Sequence, residues 1–130
     1  MHSQKKFLFI DDDADDRDFF CSTMEMIDPS VQCFFAKDGI DALDQLNGDN
    51  QFTPDYIFID MNMPRMDGRE CLLQIRQIHR LKDSQVYIYS TTVNPKINDE
   101  VIANGAAGIL VKPSTINDLS KLLQEVLKEE

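Results

Sequence analysis

Apolar residues gather into five short runs, at positions 7–10, 31–36, 56–59, 86–89 and 108–111, each rich in Phe, Ile, Val or Tyr. None alternates cleanly between polar and apolar residues, which is how strands buried on both faces of a parallel sheet read. Helical spacing fills the intervals. Phe20, Met24 and Ile27 fall at i, i+4 and i+7; Ile40, Leu43 and Leu46 at i, i+3 and i+6; Leu72, Ile75 and Ile78 likewise. The last segment has the clearest stripe (Ile116, Leu119, Leu122, Leu123, Val126), with Thr115 as N-cap and Asp118 three residues on. Pro29, Gly39, Pro54, Gly68, Gly105 and Pro113 stand near the boundaries, where breakers belong. The pattern predicts an α/β domain, β-α repeated five times, with a parallel sheet covered by helices on both faces. Residues 47–54 read as a polar surface loop.

Length and charge narrow the picture. The 130 residues suit one domain, and 42% hydrophobic content supports a core without staples. Lys and Arg number 13 against 23 Asp and Glu, a net charge of −10. Such a surface repels phosphate backbones and anionic membranes, so no nucleic-acid or membrane partner is expected, and it favours cations or a basic protein. Cys21, Cys33 and Cys71 lack zinc spacing and read as reduced, mostly buried thiols of a cytoplasmic protein. The longest aliphatic or aromatic runs, such as residues 7–10, are far below the ~20 residues that span a bilayer. His2 and His79 have no partner at metal-binding spacing and read as solvent-facing.

In sheets of this kind ligands bind beyond the carboxyl ends of the strands. Asp11-Asp12-Asp13 follows the first run, Asp60 the third, Ser90-Thr91-Thr92 the fourth and Lys112-Pro113 the fifth. Parallel strands bring these to one edge. Clustered carboxylates repel one another unless a cation neutralises them, and an all-oxygen set without His or Cys suits Mg²⁺, with Mn²⁺ or Ca²⁺ as alternatives. Asp60 then serves as a nucleophile towards phosphorus, Lys112 steadies charge on the phosphoryl oxygens, and Ser90 donates to one of them. A calcium loop fails, because Asp16 stands where Gly is needed and Ser22 where Glu is needed. Asp15, Asp16 and Asp18 read as solvated acids at a helix start. Asp67-Gly68 reads as a turn and helix start, and Met63 and Met66 as a cover over the acidic pocket.

At these residues the sequence resembles the receiver domain of two-component response regulators. Four motifs carry the resemblance along nearly the whole chain: Phe9-Ile10-Asp11-Asp12, the stretch Asp60-Met61-Asn62-Met63-Pro64-Arg65-Met66-Asp67-Gly68, Ser90 closing the fourth strand, and the stretch from Gly105 to Lys112-Pro113. It implies a flavodoxin-like, doubly wound (βα)5 fold with strand order 2-1-3-4-5, one receiver domain over residues 1–130 without an output domain, and a cytoplasmic location. It further implies that Asp60 accepts a phosphoryl group from a phosphohistidine of a sensor histidine kinase or phosphotransfer protein. The protein is then a signalling switch that catalyses its own phosphorylation and dephosphorylation. Mg²⁺, or Mn²⁺, is held by Asp12 directly, Asp11 through water, Asp60, and the backbone carbonyl of Asn62. Lys112 and Ser90 read the phosphoryl group, and a downstream protein effector receives the message, usually at the face of helix four and strand five. Thr91, Thr92 and Ile109 occupy positions that tune lifetime or switching. Ile109 stands where an aromatic is usual, so the family's ring flip has no direct counterpart. Two rival readings are a phosphorylation-independent adaptor on the receiver fold and a hydrolase of the haloacid-dehalogenase type. The second needs Asp where Asn62 stands.

Overall fold

Each apolar run forms a strand in the computed structural model, which describes residues 5–92 and 94–128. Strands β1 (Lys6–Ile10), β2 (Gln32–Ala36), β3 (Tyr56–Asp60), β4 (Gln85–Ser90) and β5 (Gly108–Val111) alternate with α1 (Ala14–Ile27), α2 (Gly39–Gly48), α3 (Gly68–Arg76), α4 (Pro95–Ala103) and α5 (Ile116–Lys128). A 3₁₀ turn, His79–Leu81, follows α3. The sheet is wholly parallel and ordered β2-β1-β3-β4-β5, the flavodoxin-like arrangement. Among the described residues no helix is long and apolar enough to cross a membrane.

Alternate residues of the three central strands differ in kind rather than in polarity. Leu8, Ile10, Ile57, Ile59, Val86 and Ile88 face one side, where they pack with Ala42 and Leu46 of α2, Leu72 and Ile75 of α3, and Val101 of α4. Phe7, Phe9, Tyr56, Phe58, Tyr87 and Tyr89 face the other, against Phe20 and Met24 of α1 and Leu119, Leu123 and Val126 of α5. The period of two that a strand imposes is therefore present, written as aliphatic against aromatic. Rings stack across the second face, Phe9 on Phe20 at 4.2 Å and Phe7 on Tyr56 at 4.7 Å between centroids. Each such side chain, fully withdrawn from water, contributes roughly 1.5–3 kcal/mol.

Several sequence expectations need correction. Ile40 is 38% exposed, and α2 turns Gly39, Ala42, Leu43 and Leu46 inward instead. Helix α3 stops at Arg76, so Ile78 packs against the core from beyond its end. Strands β2 and β5 are not buried on both faces, because they are the sheet edges; Phe35 is 54% exposed. The segment 47–54 is more than a polar loop. Its Phe52 meets Phe34 edge-on at 4.9 Å, and the Arg80 guanidinium ties the segment down by donating to the carbonyls of Leu46, Asp49 and Phe52. Of the thiols only Cys71 is buried; Cys21 and Cys33 are half-buried. His79 is exposed, and His2 lies outside the described residues.

Candidate functional site: an acidic pocket at the carboxyl edge of the sheet

Strands β1 and β3 are neighbours in register, with Ile10 beside Ile59, so the residues that follow, Asp11 and Asp60, stand together. From β1 the chain goes on to β2, and from β3 to β4, on opposite sides of this pair. At that reversal of strand order a crevice opens for ligands. Asp11 is fully buried, Asp60 nearly so, and Asp12 is exposed. One carboxylate oxygen from each lies within 4.8 Å of the others.

Local chemistry shapes the rim. The Asp13 amide donates to Asp11 Oδ1 at 2.9 Å, while the Asp13 carboxylate caps α1 by accepting from the amides of Asp15 and Asp16. After β3 the chain folds back sharply, and the Gly68 amide donates to the Met61 carbonyl at 2.9 Å. A Cβ at Gly68 would sit 2.8 Å from the Asp60 carbonyl oxygen and 2.9 Å from Met61 Cα, both backbone, so only glycine allows this approach. Arg65 in the same loop has φ 68°, a left-handed conformation, and its guanidinium pairs with the buried Asp38 carboxylate at the start of α2.

Lys112 follows β5 and reaches across β4 to the cluster. Its ammonium lies 5.5 Å from the centre of the Tyr89 ring, 3.0 Å from Asp11 Oδ2, 3.2 Å from Asp60 Oδ1 and 3.0 Å from Asp16 Oδ2. The last contact corrects the reading of Asp16 as a merely solvated acid. Three carboxylates around one ammonium leave negative charge uncompensated. Burial, and then the charge of Asp11, push Asp60 up to about 6 against the pull of Lys112. Asp11 is also raised, mainly by burial. Burial disfavours the Lys112 ammonium, but hydrogen bonds to Asp11 and Asp16 outweigh it and hold its pKa above the ordinary lysine value.

The remaining expected residues take these places. Ser90 is buried at the end of β4, and its hydroxyl accepts from the Thr92 amide at 3.3 Å. Thr91 and Thr92 are exposed. The Asn62 amide donates to Asp60 Oδ1 at 3.4 Å, and its side chain is exposed. Ile109 is half-buried and, with Met61, Ile88, Ser90 and Ile97, lines a cavity of about 20 Å³ beneath the β4–α4 connection. Met63 is not simply a cover: it is buried with Met61 in the aliphatic cluster, with Met66 packed beside it. Asp67 caps α3, as its turn signal predicts. Sequence reasoning missed Asp16 and the Arg65–Asp38 pair, for which spacing along the chain carries no signal.

An all-oxygen set with surplus negative charge can coordinate a divalent cation such as Mg²⁺. The donor chemistry of the cluster fits that ion.

Comparison with known proteins agrees with this geometry. The chain is 32% identical over 122 residues to the regulator of RpoS from Escherichia coli strain K12, covering 94% of this chain and 34% of that protein. It spans between 27% and 60% of the length of three curated relatives that it matches. The structure of chemotaxis protein CheY4 from Vibrio cholerae superposes with a TM-score of 0.82 at 31% identity, covering 95% of this chain and 99% of that one. The Mn²⁺-bound form of response regulator Rcp1 superposes with a TM-score of 0.79 at 26% identity, covering 94% and 91%. Residues 7–124 match the response regulator receiver domain, and with the acidic cluster at its expected edge the chain belongs to that family, the phosphorylatable receivers of two-component systems.

Proposed function

We propose that Asp60 is the phosphoryl acceptor and that its donor is a phosphohistidine on a sensor histidine kinase or a histidine phosphotransfer protein. Membership of the receiver family implies a partner of that class. The observation that carries the assignment is the position of Asp60 at a strand end, beside the buried Asp11 carboxylate and 3.2 Å from the Lys112 ammonium. A carboxylate oxygen of Asp60 attacks phosphorus, the P–N bond breaks, and the imidazole leaves with the electron pair and takes a proton. Lys112, 3.2 Å from Asp60 Oδ1, balances charge on the phosphoryl oxygens as a compact point charge. The Ser90 hydroxyl, on the adjacent strand, donates to one of those oxygens. Asp12, Asp11, Asp60 and the backbone carbonyl of Asn62 would hold the metal, Asp12 directly and Asp11 through water. When bound, the divalent cation neutralises these acids and polarises the phosphoryl group. The Mn²⁺-bound structure of Rcp1, a relative of this chain, supports that reading.

Thr91 and Thr92 border the phosphoryl position and tune its lifetime. Ile109 repacks within the small cavity behind Ser90, in place of a ring flip, and the changed surface meets a protein effector in the cytoplasm. Acetyl phosphate or phosphoramidate with Mg²⁺ should add one phosphoryl group by mass spectrometry, and Asp60→Asn should not be labelled. Retained labelling of that variant would overturn the assignment. Equal effector affinity with and without beryllofluoride would favour the phosphorylation-independent adaptor instead.

A further inference from the structure

Two thiols that are unrelated by sequence spacing meet in the fold. Helix α1 runs antiparallel to β2 across the aromatic face of the sheet, and the Arg17 guanidinium lies over the Phe35 ring, 5.3 Å from its centre. Four residues further along α1 is Cys21; two residues back along β2 is Cys33. Four residues of helix rise about 6 Å, and two residues of strand rise about 6.6 Å. The helix and strand therefore stay in step, and the contact after Arg17–Phe35 is Cys21–Cys33. The two thiols lie close enough to interact and pack against the same cluster. Both are half-buried, and β2 is an edge strand, so small reagents reach them. Cys71 is a built-in contrast, fully buried, its thiol pushed up to about 12 chiefly by burial.

We infer that Cys21 and Cys33 form a reversible disulfide site, closed by a two-electron oxidant such as hydrogen peroxide and reopened by a dithiol. Either thiolate serves as the attacking sulfur, with the other cysteine resolving it. One of the two thiolates attacks one peroxide oxygen, the O–O bond breaks, and the departing hydroxide takes a proton to become water, leaving a sulfenic acid. The other cysteine's sulfur then attacks the sulfenic sulfur, the S–O bond breaks, and a second water leaves as the S–S bond forms. One peroxide is reduced and two thiols are oxidised. The bond closes a loop of roughly a dozen residues, whose constraint falls mainly on the unfolded chain. It also clamps α1, whose first turn supplies Asp16 to Lys112, onto the sheet edge.

The test is a peroxide titration of the purified chain, quenched by alkylation and followed by intact and peptide mass spectrometry. The expected product has lost two hydrogens, joins the peptides of Cys21 and Cys33, reverts with dithiothreitol, and has a higher thermal midpoint. Cys71→Ser should behave as the parent, while Cys21→Ser and Cys33→Ser should form no intramolecular link. Independent modification of Cys21 and Cys33 in the folded Cys71→Ser protein, or linkage only between separate chains, would overturn the inference.

Discussion

Asp60 holds its proton more tightly than a free aspartate because it is buried beside Asp11, and Lys112 offsets this only in part. Without metal, the folded carboxyl titrates at about 6 against an ordinary 3.8. A raised carboxyl pKa means that the folded state binds the proton better than the unfolded chain does. That contribution to stability is full below about pH 3.8 and is lost as pH rises through about 6. Asp60→Asn removes the penalty. In chelator it should be more stable than the parent above pH 6, by roughly 3 kcal/mol, with the two converging near pH 4. Urea denaturation across that range measures the difference, and a gap independent of pH would contradict it. At this scale Asp11, Asp12, Asp60 and Lys112 were legible, because each follows an apolar run. Asp16 was not: its partner Lys112 lies 96 residues away, and a helix start rich in acids reads as solvated unless the cation is in view.

Elements owe their ends to single residues. Gly68 opens α3 while its Cα faces the Asp60 carbonyl, so Gly68→Ala forces the β3–α3 loop away from the site. It should destabilise the protein by about 2 kcal/mol, as overpacking against backbone does, and slow labelling by phosphoramidate. Unchanged stability and labelling would show that the loop yields freely. Helix α5 was readable from its stripe, though Ile116 at its start is exposed, and from its Thr115 cap, whose hydroxyl accepts from the Asp118 amide at 3.1 Å. Helix α4 was expected only from the β-α repeat, and the residues that start it were not read from the sequence. The Asn94 side chain accepts from the Lys96 amide at 3.1 Å, and Pro95 occupies the first turn, where its missing N–H costs nothing. Residues 47–54 looked like an ordinary loop, because what organises them is Arg80, donated by a different element.

For the whole molecule, the cost of gathering three carboxylates is relieved when a cation binds the folded state alone. Mg²⁺ at ten times its Kd should add about 1.4 kcal/mol of stability, or about 4 °C in thermal midpoint for a chain of this length. Asp12→Ala should abolish the rise, since that exposed carboxylate is free to reach an ion. A rise persisting in the variant would move the ion elsewhere. Alternation of apolar runs with helical stripes by itself determined the class of fold, and strand-end acids determined which residues could do chemistry. Both are local signals, repeated at the periods of strand and helix. That Lys112 reaches Asp16, that Arg80 closes the end of α2, and that Cys21 meets Cys33 were decided only in three dimensions. Those contacts join residues from separate elements, and the chain records no distance between elements until packing of the two sheet faces sets it.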